Sequence, residues 1–577
     1  MFNTRLAPAL GVFALFLVAI SNPALCAPTP RPTIQTLPIP GDARFVRIAR
    51  DVLLIQSAYA PDFASQSGLM DDAASVPSFA PGRVEALTRR LRRDLSQLRQ
   101  LPWRKGSVDE QIDVRLVYAQ AERMDRELNV ERLYLRRPGA WLETLANDYL
   151  NILTYTPERH DVLAKITAGV PAMVQEMDRV CEPTQVDADV GLGVLDGIVA
   201  ILRTQPAGGS SAAIAALSRY REKLRQNITR APFAVIGAKN YAWRLAHAAL
   251  LPWDPMTLRS RAEERLKNVD EQIAALRPGV VPPAPLSAEL KQKAAELDQA
   301  GLLQLYDDIE IEYRAAIQSA GFVTIPQGVG PIRARVTPEA TIPLAGDGGS
   351  MIPPPPFLDS DVSWWNVEHF RDSESLEERE KTLQGAVFFR ENGLGPYAAH
   401  EGLPGHHLQL SIARLNADPL RSVFTDTVAA EGWALYAEEL MWENKGLGDS
   451  VAAHVNTLSS WRSRIRRVIY DVNIETGVWS LQQAADWKSR SAEGQGKIDP
   501  EIRRSINWPT QLISYFAGKE QIMELKHDYQ AKLGSAYSER GFHDALLAVG
   551  PVPYVFARAK LLGEPVPDFD TLPREGD

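Results

Sequence analysis

The residues best suited to chemistry in this chain lie between positions 400 and 409. Three of its nine histidines, His400, His406 and His407, fall within eight positions there, and Glu401 stands beside the first. Imidazoles with a neighbouring carboxylate are the side chains that a catalytic zinc site with a general base requires. The pattern therefore indicates a metal-dependent hydrolytic site. The alternative is a helix-break-helix corner with incidental histidines.

The spacing of these residues differs from H-E-x-x-H, in which two histidines four residues apart share one helical face. His400 and His406 are six residues apart, which would place them on different faces of an uninterrupted helix. His407 returns to the face of His400, but about 10 Å further along the axis, which is long for ligands that converge on one ion. Pro404 and Gly405 offer a solution, because proline interrupts helical hydrogen bonding and glycine accepts unusual dihedral angles. We predict a break there that returns a later histidine to the metal, and the spacing alone leaves both His406 and His407 open.

A further carboxylate for this site is predicted in the segment Val428–Met441. The segment reads as a mostly apolar helix on which Glu431 and Glu438 share one face. A buried carboxylate needs a partner, and two histidines with one glutamate form the open three-ligand set of thermolysin-type zinc enzymes. Alternatively, Glu431 is half of a buried salt bridge. Glu438 either orients a ligand imidazole or is a solvated surface charge.

Four segments carry a family resemblance: HEGLPGHHLQ, EGWALYAEEL, WPTQLISYFAGKEQI and GFHDALLAVGPVP. They resemble the bacterial family known as domain of unknown function 885, which is usually grouped with the thermolysin-like (gluzincin) zinc metallopeptidases. The resemblance covers about residues 370 to 565 with good specificity and most of the remaining chain more weakly. It implies a mainly α fold, a large helical protein around a deep cleft with a small β-sheet next to the zinc-site helix.

The resemblance also implies a zinc-ligand set. In related oligopeptidases the second zinc histidine follows a glycine, and the third ligand is a glutamate about 25 residues on. Gly405 with His406, and then Glu431, match that pattern. The resemblance therefore implies that His400, His406 and Glu431 bind Zn²⁺ and favours His406 over His407.

Four other residues are considered with this site: Glu401 from the zinc-peptidase motif, His407 from its place beside the ligands, and Tyr515 and Glu475 from the family resemblance. Glu401 would be the general base, Tyr515 would stabilise the oxyanion, and His407 would assist beside the ligands or face the substrate. Tyr515 is alternatively a core-packing residue. Glu475 departs from the family pattern, because the aligned position often carries a histidine, and this departure keeps open a protein without turnover.

The elements that must position these residues are predicted to be helical. Helical periodicity marks Val84–Leu101, Val108–Leu135 and Ala212–Leu224. Beyond residue 321 prolines and glycines become frequent, and Pro331–Thr337 alternates apolar and polar residues like a strand. The resemblance suggests this strand as an edge that binds the substrate backbone. A surface hairpin without a ligand is the alternative.

The chain begins with features of an exported protein. Residues 1–26 combine Arg5, the apolar run Leu10–Ile20 and a small-residue exit, which is typical of a cleavable signal peptide. We therefore expect a periplasmic or secreted protein, with an N-terminal helical region at 27–321 and a metallopeptidase-like catalytic region at 322–577.

The charge and apolar content of the chain argue against nucleic acid and membranes as partners. The chain has 63 basic and 72 acidic residues, a formal charge of −9, and 45% apolar residues. No long basic run suggests nucleic acid or an anionic membrane, and no stretch after the signal approaches the roughly 20 apolar residues of a membrane span. If Cys26 leaves with the signal, Cys181 alone remains and no intrachain disulfide is expected.

Together these features predict an exported zinc-dependent peptidase that hydrolyses short peptides by metal-activated water. Two alternatives stay open. One is a catalytically inactive, peptidase-like binding or scaffold protein, and the other is a metal-dependent amidase acting on cell-wall fragments.

Overall fold

The structure, a computed structural model, describes residues 31–226, 233–339, 342, 347–370, 374–490 and 494–570. Residues 1–26, for which a signal peptide is predicted, lie outside the described residues. No helix within these ranges is both long and apolar enough to cross a membrane.

The first part of the chain consists of consecutive helices with short connections. They are α1 (Ala43–Tyr59), α2 (Asp62–Ser67), α3 (Pro81–Arg99), α4 (Val108–Arg126), α5 (Gly139–Tyr155), α6 (His160–Val180), α7 (Gln185–Thr204), α8 (Ser210–Gln226), α9 (Ala238–Trp243), α10 (Pro255–Leu276), α11 (Ala288–Ala295) and α12 (Gln299–Ala320).

A small sheet and a second series of helices follow. The strands are β1 (Ile332–Val336), β2 (Ser350–Ile352) and β3 (Ser363–Val367), and the helices are α13 (Leu376–Val387), α14 (Leu394–Glu401), α15 (His406–Arg414), α16 (Pro419–Val423), α17 (Thr427–Glu443), α18 (Val451–Glu475), α19 (Leu481–Ser489), α20 (Pro500–Asn507), α21 (Ser514–Leu533), α22 (Glu539–Val549) and α23 (Tyr554–Leu562). The mainly α fold class with one small sheet is confirmed.

Local sequence accounts for where the helices begin. At α4 the Ser107 hydroxyl accepts a hydrogen bond from the N–H of Glu110, whose carboxylate accepts one from the N–H of Ser107. This reciprocal capping box satisfies two N–H groups that a helix start leaves unpaired. The helix predicted at Val108–Leu135 starts at the predicted residue but ends at Arg126, where a π-helical turn takes over. α3 and α8 match the other two predictions to within three residues.

The sheet has the order β1-β3-β2, with β3 in the centre. β1 runs parallel to β3, and β2 runs antiparallel to it. The strand predicted at Pro331–Thr337 is therefore present as β1. Ala334 N–H of β1 donates to Asp307 of α12 at 2.8 Å, so α12 contacts the outer edge of β1 at this residue. The substrate-binding role suggested for this segment stays a prediction.

One cluster of buried apolar side chains extends from Ile34 to Phe569 and includes residues on both sides of position 321. The division at 321/322 stays a prediction. Phe569 shows how the two regions pack together, because its ring centroid lies 5.0 Å from that of Trp103 and 4.3 Å from that of Tyr118. Nearby, Arg115 donates to the carbonyl of Pro567 at 2.9 Å.

Candidate metal centre

The predicted break between the histidines is present. α14 ends at Glu401 and α15 begins at His406, so residues 402–405 form a connection between two helices. A Cβ at Gly405 would lie 2.0 Å from the carbonyl oxygen of His400, a contact that only glycine avoids. The indole N–H of Trp433 donates to the carbonyl of Pro404 at 2.8 Å, which ties the connection to α17.

The break brings three candidate ligands together. Nε2 of His400 lies 3.4 Å, and Nε2 of His406 3.3 Å, from Oε2 of Glu431. One ligand atom from each residue lies within 4.8 Å of the other two. Asp426 accepts a hydrogen bond from Ala429 N–H and so caps α17, the helix that presents Glu431.

This donor set fits a zinc ion. Two ligand atoms bound at about 2.0–2.1 Å and subtending a tetrahedral angle are separated by about 3.3–3.4 Å, close to the measured distances from Glu431 to the two imidazoles. Oε2 of Glu431 is buried and makes no hydrogen bond in the described part of the chain. Two nitrogens around an otherwise unsatisfied carboxylate oxygen suit a cation at their common focus.

Glu438 orients His400 from the opposite side. Its side chain is only 1% exposed, and Oε1 lies 2.9 Å from Nδ1 of His400. A carboxylate on the second nitrogen of a ligand imidazole fixes the tautomer that leaves Nε2 for the metal. Of the two alternatives stated for Glu438, the solvated surface charge is wrong.

The electrostatics of the cluster follow from this arrangement. Burial alone would lower the pKa of His400, but the carboxylates of Glu431 and Glu438 raise it to about 9. Burial alone would raise the pKa of Glu431, yet His400 and His406 hold it well below its usual range. The cluster without a cation therefore favours a proton on His400, which a binding metal has to displace.

Glu401 and Tyr515 flank the cluster from different elements. Glu401 is the final residue of α14 and partly exposed, and its side chain has no hydrogen bond or ion pair to another residue within the described ranges. Tyr515, on α21, is 6% exposed, and its ring centroid lies 6.0 Å from that of His400. Burial, then the charge of Glu431, raises the pKa of Tyr515, so its hydroxyl keeps its proton.

His407 lies on the other side of α15. It is fully buried, with Nδ1 2.8 Å from Oγ of Ser363 in β3 and Nε2 3.2 Å from the carbonyl of Gly330. Both nitrogens are thus engaged with the sheet, and His407 does not belong to the group of converging ligand atoms. These contacts link the sheet region to α15, and the catalytic role predicted for His407 stays a prediction.

Glu475, at the end of α18, is also fully buried. Its Oε2 accepts a hydrogen bond from Ile236 N–H at 3.0 Å, and the carbonyl of Glu475 accepts one from Gly237 N–H at 3.0 Å. The carboxylate therefore holds the segment before α9 in place. No contact joins it to the His400 cluster within the described residues.

Two further residues at the centre carry no motif of their own. Gln511 donates to Oε1 of Glu431 at 3.4 Å, and Arg504 donates to the hydroxyl oxygen of Tyr515 at 3.3 Å. Gln511 stands in the segment that resembles the family, four residues before Tyr515, and that proximity is the signal that could have identified it. Nothing in the sequence around Arg504 marks it.

A cavity of about 770 Å³ lies beside the centre. Its lining includes Val428 of α17 and Gln511 but not His400, His406 or Glu431. Because Gln511 itself contacts Glu431, the cavity ends one side chain away from the converging ligand atoms.

Comparisons with known proteins agree with the fold. The model of the family described as "Bacterial protein of unknown function (DUF885)" matches residues 61–561. Two solved structures align with TM-scores of 0.70, a candidate lipoprotein of unknown function from Shewanella oneidensis and a candidate lipoprotein from Colwellia psychrerythraea. They are 17% and 16% identical to this chain, cover 90% of it, and are themselves covered over 100% and 99% of their lengths. No curated protein matches.

Proposed function

Since this chain belongs to the DUF885 family, whose description states no activity, we propose from the site itself that it is an exported zinc-dependent peptidase acting on short peptides. The observation that carries the proposal is the convergence of Nε2 of His400, Nε2 of His406 and Oε2 of Glu431. A relation to the thermolysin-like (gluzincin) zinc peptidases is part of this proposal.

The residues present divide the work of hydrolysis between them. His400, His406 and Glu431 would hold Zn²⁺, which when bound supplies a Lewis acid that brings the pKa of water towards 7. Glu401 accepts the proton of the attacking water and delivers it to the leaving amine.

Tyr515 acts on the developing negative charge of the substrate carbonyl. Its hydroxyl accepts a hydrogen bond from Arg504, which leaves the phenolic proton to be donated to the oxyanion. Glu438 holds the His400 ring in place, and His407 holds the sheet against α15.

The shape of the molecule supports short substrates. The cavity beside the centre, at about 770 Å³, falls in the range of pockets that enclose small ligands, and residues before position 250 and beyond position 350 both line it. A folded protein has no access to such a space, whereas a few extended residues do.

Export is supported by two observations. Arg5 and the apolar run to Ile20 have the order of a signal peptide. The two structural neighbours are described as candidate lipoproteins, a class of exported proteins. We infer a periplasmic or secreted location.

One experiment tests the proposal directly. Purified mature protein is analysed for metal and then incubated with a mixed peptide library, with and without a chelator. We expect about one zinc per chain and cleavage that the chelator abolishes and added zinc restores. Stoichiometric zinc without cleavage would instead support the binding or scaffold alternative, and absence of metal affinity would contradict both the site and the mechanism.

A further inference from the structure

We propose that the cavity beside the metal centre binds the free carboxyl terminus of the peptide and that the guanidinium of Arg123 is its anchor. The inference deepens the proposed function, on which it rests, by stating which end of the substrate is recognised. It predicts an enzyme that removes short fragments from carboxyl termini.

Arg123 lines the cavity and makes a long ion pair with Glu127. It stands on α4 and lines the cavity, and its side chain is 39% exposed. The nearest carboxylate oxygen, Oε1 of Glu127, lies 3.7 Å from Nη1, beyond hydrogen-bonding distance. The side chain of Arg123 makes no hydrogen bond to any residue in the described ranges.

The other arginines of the lining are engaged. Arg244 donates to both carboxylate oxygens of Glu131 and to the carbonyl of Pro509. Arg137 donates to the carbonyl of Asn507, and Arg414 to that of Leu358. Nε and Nη2 of Arg137 make no hydrogen bond in the described part of the chain, but the Arg137 side chain is only 5% exposed. The side chain of Arg244 is 16% exposed, so the guanidinium of Arg123 is more accessible to a ligand than either.

The acidic residues of the lining are engaged as well. Besides Glu131, Glu127 accepts from the hydroxyl of Tyr59 at 2.9 Å, and Glu143 accepts from the indole of Trp508 at 3.0 Å. The other two, Asp187 and Asp426, cap the helices α7 and α17. Within the described lining a peptide amino terminus therefore finds no carboxylate that lacks a hydrogen bond, whereas the guanidinium of Arg123 makes none. This difference favours recognition of the carboxyl end.

The position of the cavity relative to the metal centre sets a minimum length for the fragment. Asp426 and Thr427, at the start of α17, line the same cavity as Arg123. Glu431 is five residues after Asp426, about 7–8 Å along the helix axis. Since an extended peptide advances about 3.3–3.6 Å per residue, at least about two residues are needed to run from this end of the cavity to Glu431.

The guanidinium of Arg123 and a peptide carboxylate are chemically well matched. A guanidinium presents parallel N–H donors that match the two oxygens of a carboxylate, and such charge-assisted bonds are among the stronger ones in proteins. Losing the pair typically weakens binding about 10- to 100-fold.

The test compares two peptides that differ only at the carboxyl terminus. N-acetyl-tetra-alanine with a free carboxyl group and N-acetyl-tetra-alanine amide are titrated calorimetrically into the zinc-loaded full chain carrying Glu401→Gln, which prevents turnover. We expect the free acid to bind at least about 10-fold more tightly than the amide. Arg123→Gln should remove this preference, and Arg123→Lys should retain part of it.

A matched control is available on α3. Arg89 forms an i,i+4 ion pair with Glu85 on the surface, the same kind of pair as Arg123 with Glu127, but outside the cavity. Arg89→Gln should leave the preference intact. Equal binding of acid and amide, a preference that survives Arg123→Gln in a folded variant, or no binding of either peptide would overturn the inference.

Failure of the inference and failure of the proposed function give different results. If the wild-type protein binds the free acid selectively through Arg123 but cleaves no peptide in the library, the anchor stands and the peptidase proposal fails. If it cleaves peptides at sites unrelated to the carboxyl terminus, the peptidase stands and the anchor is wrong.

Discussion

Two adjacent histidines at the candidate centre have different partners. Nε2 of His406 lies 3.3 Å from Oε2 of Glu431 on α17, whereas the ring of His407 contacts Ser363 and the carbonyl of Gly330. Neighbouring residues at a helix start project about 100° apart, so one can serve a metal and the other the fold. This difference makes their substitutions distinguishable.

His406→Ala should abolish stoichiometric zinc, because two protein ligands seldom hold the ion tightly. His407→Ala should keep the zinc but lower the free energy of unfolding by about 2–4 kcal/mol, since it opens a cavity and leaves buried polar partners unpaired. Metal analysis and urea unfolding of both variants measure this. Zinc lost from folded His407→Ala and kept in His406→Ala would reverse the assignment.

Glu401→Gln should keep zinc and lose at least roughly a hundredfold in turnover, because general-base catalysis typically contributes 10²–10⁴. The amide has nearly the shape of the carboxylate but cannot accept the proton of water. Peptide hydrolysis is measured beside metal content. Full activity with full zinc would remove Glu401 from the mechanism.

The sequence predicts which three side chains converge at the candidate centre but not what surrounds them. His400, His406 and Glu431 lie within 32 positions, so motif spacing and family resemblance suffice to nominate them. The partners of His407 are 44 and 77 residues away, and nothing local in the sequence specifies which side chain meets them.

At the scale of elements, the centre depends on how closely α17 and α21 approach. A Cβ at Gly432 would lie 2.4 Å from Cα of Gly518, and a Cβ at Gly518 would lie 2.1 Å from the carbonyl oxygen of Val428. Both glycines are within three residues of a functional side chain, Glu431 on one helix and Tyr515 on the other. The contact of the two helices therefore sets the distance between the proposed ligand Glu431 and the proposed oxyanion donor Tyr515.

Gly518→Ala should separate the two helices and destabilise the protein by about 1–3 kcal/mol, as overpacking in a core does. Because the shift also moves Tyr515 away from the centre, peptide turnover should fall further than zinc content. Thermal unfolding, zinc analysis and hydrolysis are the measurements.

The control is Gly385→Ala. Gly385 is also within a helix, α13, but a Cβ there would meet nothing within 4 Å, so alanine should be neutral or stabilise by about 0.5–1 kcal/mol. If Gly518→Ala and Gly385→Ala changed stability and peptide turnover equally, the close contact of α17 and α21 would not constrain the centre.

Sequence periodicity predicts helices far better than it predicts the sheet. β1 was expected from its alternation, but its central neighbour β3 is 31 residues away in the register, Ile332 opposite Ser363. Pairing between distant strands depends on tertiary packing. Local sequence patterns also do not predict that α12 contacts β1 through Asp307.

At the scale of the whole molecule, buried carboxyls join the two regions of the chain. Asp471 on α18 is fully buried and accepts a hydrogen bond from the hydroxyl of Tyr241 on α9 at 2.7 Å. Burial raises the pKa of Asp471 to about 7, so in the folded state this carboxyl remains protonated in mildly acidic solution.

This shift predicts how stability depends on pH. Between about pH 4 and 7 the folded state holds a proton on Asp471 that the unfolded state, with a pKa near 3.9, has released. The free energy of unfolding contributed by this group therefore decreases as pH rises through that window. From pH 5 to 7 the wild type should lose about 1–3 kcal/mol more than Asp471→Asn.

Urea unfolding at pH 5, 6 and 7 measures the difference, with Asp196→Asn as a surface control whose native side chain is 43% exposed. If the free energies of unfolding of wild type and Asp471→Asn changed with pH in the same way, the pKa of Asp471 would not be raised. If the free energy of unfolding of Asp196→Asn depended on pH as weakly as that of Asp471→Asn, the pH dependence of the wild type could not be assigned to Asp471.

The large cavity illustrates what sequence could not supply at this scale. Its lining draws on residues from Gln56 to Pro553, and no periodicity links an arginine on α4 to a metal site about 300 positions later. The family resemblance predicts a cleft but not its position. The packing of both regions places the cavity beside Gln511.

The packing of Phe569 on Trp103 and Tyr118 bears on how the protein is made. Arg99 pairs with Asp570 across 471 positions of sequence. The apolar surface around α4 therefore stays exposed until Phe569 and its neighbours, near the end of the chain, have been synthesised. At roughly 5–20 residues per second, that interval is about 25–90 s. A nascent chain whose N-terminal region stays incomplete for so long remains accessible to chaperones, and such a delay would suit the proposed export, which requires a chain that is not yet folded.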